Sequence, residues 1–236
     1  ADAQRDARHR RCQALRNIMT TVRISGNAGA TFGGVTDNWL QQISPTNVNS
    51  TASNVFVDCQ SAGNARRMLL RFDGLSNISG PVTVSTAQLR LSQHTFPSSK
   101  TYHFYKLLVP FDTAYACWNN RTNGVAWTTA GALGSSDVNM TSVLDAAMTS
   151  QVATLVSYSQ AEFTACVEDW INNPGNNHGL LMVIDNETGY EAVARRFYTT
   201  EAGDTTNQPE LYFEYTASGP TVTSVTQTSG GTEGSP

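Results

Sequence analysis

The sequence predicts an all-β protein, two antiparallel sheets packed face to face with one short helix. Three observations carry that reading. Short runs of aliphatic, β-branched and aromatic residues recur, and several alternate with polar ones, as in Gln88/Leu89/Arg90/Leu91 and Glu210/Leu211/Tyr212/Phe213. That is the period-2 mark of a half-buried strand. Between the runs lie clusters of Gly, Pro, Asn and Ser, the punctuation of turns. Only 14% of residues are charged, against about 25% in an average globular domain. Ser, Thr, Asn, Gln and Gly replace them, a balance common in β-rich extracellular and virion-surface proteins.

Taken in order, the predicted strands are VFVDC from Val55, RMLLRF from Arg67, AQLRL from Ala87, YHFYKLL from Tyr102, LLMVI from Leu180, RRFYT from Arg195 and ELYFEY from Glu210. Turns are read at Ser61–Asn64, Leu75–Pro81, Phe96–Lys100, Thr122–Gly124, Asn172–Asn177 and Gly203–Pro209. One stretch, about 159–171, has a different period. Phe163, Val167 and Trp170 follow at i, i+4, i+7, which puts them on one helical face. Ser159 and Glu162 have capping-box spacing, and Pro174-Gly175 would stop the helix. Trp170 is expected in the core.

Composition divides the chain into an N-terminal arm (1–34), the sandwich (35–216) and a Ser/Thr/Gly/Pro-rich segment (217–236) that reads as a linker or the start of a further β-module. Residues 1–18 hold five arginines against two aspartates, a charge of +3; with −4 for the whole chain, the remainder carries −7. An acidic body argues against nucleic acid as a partner. Arg5, Arg8, Arg10 and Arg11 in the leader are docking candidates for an acidic partner surface, and a solvated extension accounts for them equally. The leader lacks the apolar stretch of a signal peptide, and no run approaches the roughly 18 apolar residues of a membrane span. The four cysteines, Cys12, Cys59, Cys117 and Cys166, show no C-x-x-C pair. Free buried thiols are expected, with a Cys117–Cys166 bridge as the alternative.

Chemistry is sparse. His9, His94, His103 and His178 are scattered, without the H-E-x-x-H or H-x-H spacing of a metal site, and there is no nucleophile elbow or phosphate loop. Glycoside hydrolysis needs two facing carboxylates. The available sets, Glu168/Asp169, Asp185/Glu187 and Glu201/Asp204, read as solvated or capping groups. Asp37, Asn38, Asp58 and Asp73, or Asp185 with Asn186, supply hard-cation oxygens, yet turn-forming Asx residues explain them better. The expectation is no catalytic residue, no metal and no cofactor. N-x-S/T sequons at Asn49, Asn77, Asn120, Asn139 and Asn186 are too easily generated by this composition to inform.

Trp118 and Trp127 flank the Asn123-Gly124 turn. Two indoles there form either a platform for a sugar ring or a rigid structural pin; the structural reading is favoured because burial is the usual fate of Trp. Tyr102, Tyr190 and Tyr198, near predicted loops, are the better glycan-contact candidates.

The order of fragments resembles the DNRLRE-domain family, β-sandwich modules similar to alginate-binding carbohydrate-binding modules. The resemblance runs over about residues 35–216: TDNWL from Thr36, VFVD from Val55, RMLLRFD from Arg67, AQLRL from Ala87, then Trp118, Asn119, Arg121, Gly124, Trp127, Gly131 and Ala132. Val167 and Trp170, NHGL from Asn177, FYTTE from Phe197 and PELYFEY from Pro209 complete it. It implies a non-catalytic jelly-roll sandwich of extracellular enzymes, surface proteins and phage structural proteins, with Trp118, Asn119, Arg121, Gly124, Trp127 and Trp170 as its structural signature. The family's sugar binders are expected to show a basic face. Here Lys100 and Lys106 are the only lysines, so such a face requires Arg66, Arg67, Arg195 and Arg196 to cluster. The functional expectation is a structural or adhesive module on the outside of a virion, of decoration, fibre or tail type, or of a cell. It would assemble with other subunits or with itself, without membrane insertion. Carbohydrate recognition, by a module appended to an enzyme or alone, is the alternative.

Overall fold

A computed structural model describes residues 18–95, 99–148, 155–190 and 194–218. Six strands form the first sheet: β1 (Met19–Ile24), β14 (Glu210–Ala217), β6 (Val82–Thr95), β13 (Arg196–Tyr198) and β3 (Asn54–Phe56) in spatial order, with β11 (Leu155–Tyr158) also on β6. The second sheet runs β10 (Val138–Met148), β7 (Lys100–Leu107), β12 (Leu180–Ile184), β5 (Ala65–Phe72) and β2 (Val35–Gln41), and β4 (Asp58–Cys59) adds to β5. Pairing within both is antiparallel, as predicted. A small hairpin, β8 (Asn120–Thr122) with β9 (Val125–Ala126), sits apart.

Alternation decides what each strand buries. Ala87, Leu89 and Leu91 of β6, Leu211 and Phe213 of β14, and Val22 and Ile24 of β1 point inward from the first sheet; Met68, Leu70, Phe72, Tyr102, Phe104 and Leu144 meet them from the second. Each of the Val, Leu, Ile, Phe and Met side chains contributes about 1.5–3 kcal/mol on leaving water. Because Val22 and Ile24 are core residues and β1 pairs with β14 from Met19↔Thr216 to Ile24↔Leu211, the sandwich starts at β1 and not at residue 35. Arg5, Arg8, Arg10 and Arg11 and the segment from 219 onward lie outside the described residues.

VFVDC does not form one strand. It divides at Val57, β3 joining the first sheet and β4 the second, which is how a chain turns the corner between packed sheets. β1, β10 and β11 had no sequence forecast: Asn, Ser, Ala and Met dilute the β-branched signal of β10, and β11 is only four residues long.

Helix α1 (Ala161–Asn172) closes one flank of the core with Phe163, Cys166, Val167, Trp170 and Ile171. It starts two residues later than the sequence suggests. Gln160 is the N-cap, with no side-chain cap bond, so the Ser159/Glu162 box does not form. The helix instead serves the backbone of β6: Glu168 accepts from Val84 N–H, Thr164 from Ala87 N–H, and Asn172 bonds both Val82 N–H and its carbonyl. Pro174 opens a single 3-10 turn that ends it. Cys59, Cys117 and Cys166 are free and buried, which removes the Cys117–Cys166 alternative.

Candidate functional site

The two tryptophans lie on the outside of the second sheet, not between the sheets. β5 is buried on both sides: Met68, Leu70 and Phe72 face the central core while Ala65 and Leu69 face a second one. Residues 108–137 fold over that outer face as a roof. Trp118 and Trp127, 6% and 4% exposed, pack there with Leu40, Leu107, Phe111, Leu181 and Val183. Trp127 Nε1 donates to the Cys117 carbonyl at 2.9 Å. The buried Asp137 carboxylate accepts from Thr128 and Thr129 N–H at 2.9 Å each, pinning the roof at its C-terminal side. Arg67 lies over the Trp118 ring at 4.7 Å, donates to the Gly131 carbonyl at 2.6 Å and forks onto Glu187. Gly131 is obligatory: its φ is +84° and a Cβ would come within 2.7 Å of the indole. No open indole platform exists at this turn, and Gly124, at φ +67°, turns the β8–β9 hairpin between the two rings.

The proposed glycan tyrosines are not brought together. Tyr102 is fully buried in the central core, its ring edge-to-face with Phe197 at 5.4 Å, which corrects its assignment as a contact residue. Its inward position in β7 follows from the same alternation that buries Phe104. Tyr198 is half-buried with its ring 5.3 Å from His94. Tyr190, 53% exposed, is open to solvent.

At one end of the sandwich three of the four named arginines converge, but inward. Arg66 forks onto the fully buried Asp58 at 2.6 and 2.7 Å, and Arg195 N–H donates to the same carboxylate at 2.8 Å. Arg66 and Arg196 both lie over Phe56, at 4.4 and 5.1 Å. Arg67, one residue from Arg66, points to the opposite face. These side chains form a structural knot and not a basic surface.

Most of the candidate carboxylates are likewise occupied. Asp169 is held by Lys106, Asn173 and Asn176, Glu187 by Arg67, Asp73 by Arg71 and Thr36, and Asp204 by Thr206 and Asn207. Asp37 is buried and accepts from Thr200 N–H and Oγ1 at 2.8 and 2.9 Å; burial is the main cause that pushes its pKa up to about 7, and the neighbouring Glu201 carboxylate adds to it. Among the described residues no three His, Cys, Asp or Glu gather as metal ligands.

An open concavity lies at the other end, a notch of about 230 Å³ lined by Lys106, Leu107, Leu108, Asn176 and His178. A second depression of about 200 Å³, lined by Asp73, Leu75, Trp170 and Asn177 among others, lies across the 174–178 segment. Lys106 is the last inward residue of β7 and reaches Asp169 on α1. Burial raises the Asp169 pKa, but the bonds from Lys106, Asn176 and Asn173 outweigh it, so the carboxyl titrates below its usual range. Burial lowers the His178 pKa, and the charges of Arg71, Lys106 and Arg121 lower it further. None of Arg71, Lys106, Asp169 and His178 was singled out as a binding residue from sequence; the only signal was the Asn-rich turn from Asn172.

An antiparallel β-sandwich with a roofed outer face and no assembled reaction centre among the described residues defines a β-sandwich module. Residues 37–213, three quarters of the chain, match the disaggregatase related repeat domain, and the chain belongs to that family. This corrects the DNRLRE-domain resemblance. The fragments behind it follow from packing a sandwich with alternating strands and Trp pins, a requirement that families of this architecture share. A search of curated proteins finds no match.

Proposed function

We propose that the chain is a non-catalytic structural or adhesive unit of a protein displayed on the outside of a cell or virion, or secreted. Membership of a repeat-domain family carries the reading. Carboxylates tied up by cations, amides and hydroxyls support it, because a hydrolase needs two that are free to face a substrate. In this reading the module works beside other subunits or copies of itself, and Arg5, Arg8, Arg10 and Arg11 supply docking contacts. Antibody raised to the chain should detect it in surface extracts, culture medium or particles from the source; confinement to the cytosol rejects the proposal.

Carbohydrate recognition is the second reading, favoured by Tyr190, an aromatic ring left open to solvent. A glycan array tests it. A hit that survives Tyr190→Ala and Tyr198→Ala removes those residues from the site, and no hit across acidic and neutral glycans removes the reading.

A further inference from the structure

We propose that the notch between β7, the 174–178 segment and the roof binds a small monoanionic carboxylate, with His178 and Lys106 as its donors and Arg121 as a neighbouring positive charge. The proposal goes beyond surface display and does not depend on where the protein resides. The His178 ring makes no hydrogen bond among the described residues, though it lines a concavity of about 230 Å³. Among the described residues Arg121 has no carboxylate partner; its guanidinium donates one N–H to the Pro110 carbonyl at 3.1 Å. Lys106 gives one of its three N–H groups to Asp169, leaving two. Leu108, 46% exposed, supplies an apolar wall for a short carbon skeleton.

Charge selects the ligand. The groups acting on His178 from neighbouring elements are all cations: Arg71 from β5, Lys106 from β7 and Arg121 from β8. Of the nearby acids, Asp73 is bound by Arg71, Asp169 by Lys106, and Asp112 caps its own turn at Ala114 N–H. One added negative charge fits this field. A second is opposed by Asp73 and Asp169, so a carboxylate is preferred to a phosphate dianion. The bound anion favours the imidazolium, so binding raises the His178 pKa and strengthens as pH falls through it.

Histidine Cε1–H resonances of the full chain, followed by NMR through the histidine range, provide the test. Sodium acetate and sodium glucuronate are the probes, with sodium chloride of equal ionic strength as control. The expected result is a saturable shift and a raised pKa at His178, with His103, which is bonded to Asp145, unmoved. A response to acetate alone assigns free small acids, and one to both admits an acidic sugar unit. Arg121→Gln should weaken binding about threefold or more while its remaining spectrum reports an intact fold. A response matched by chloride, shared by the other histidines, stronger for inorganic phosphate, or unchanged in Arg121→Gln overturns the proposal.

Discussion

The two ends of the sandwich hold similar residues and use them in opposite ways. At one end Asp58, Arg66 and the Arg195 backbone lock together with almost no solvent contact, and Phe56 is covered by two guanidinium groups. At the other, Lys106–Asp169 and Arg71–Asp73 are partly exposed; among the described residues Arg121 meets a carbonyl and no carboxylate, and the His178 ring makes no hydrogen bond. Burial makes the first set indispensable to the fold. Exposure makes each charge in the second set cheap to change, which is what a binding surface requires.

The largest effect should come from Asp58→Ala. It leaves Arg66 buried without a counterion, costing about 3–5 kcal/mol, read as a shift in the urea midpoint. If the loss is under about 1 kcal/mol, the knot is not structural. Asp37 sharpens the contrast, being a buried carboxylate with no cation beside it among the described residues. Its pKa rises from 3.8 to about 7 on folding, so the folded state holds the proton more tightly. Its contribution to stability is fullest below the unfolded value, falls as pH climbs through that window, and is flat above it. The span is at most about 4 kcal/mol. Asp37→Asn keeps an acceptor for Thr200 and should flatten that slope, gaining most above neutrality; an unchanged pH profile would show that the carboxyl is hydrated.

At the notch, Lys106→Gln breaks a partly exposed pair and should cost about 1 kcal/mol or less, measured by thermal melting. A loss as large as that of Asp58→Ala would erase the distinction between the ends. Smallest of all, Arg121→Gln should leave stability within about 0.5 kcal/mol while altering anion binding.

Much of the architecture was legible because strand alternation is a local property. Leu180–Ile184 coincides with β12, and Leu211 and Phe213 turn into the core with Tyr212 between them as their order suggests, though Glu210 is covered by Arg23 and Arg90 and has no solvent contact. The helix was legible from Phe163, Val167 and Trp170, but its start was not, since Glu162 makes no cap and Gln160 takes the N-cap position. Tyr102 misled for a related reason: proximity to a turn says nothing about which face a residue takes, and the register of β7 sends it inward.

By itself, the sequence determined the helix and the strongly alternating strands, the antiparallel two-sheet class and the burial of Trp170, because these depend on periods of two and 3.6 residues read over short windows. Tertiary structure alone decided that Trp118 and Trp127 roof an outer face, that Arg66 and Arg67 part company across β5, and that Lys106, Arg121, Asp169 and His178 share one end. Those arrangements join residues tens of positions apart, and only the pairing of strands and the path of the 108–137 segment fix where such residues meet.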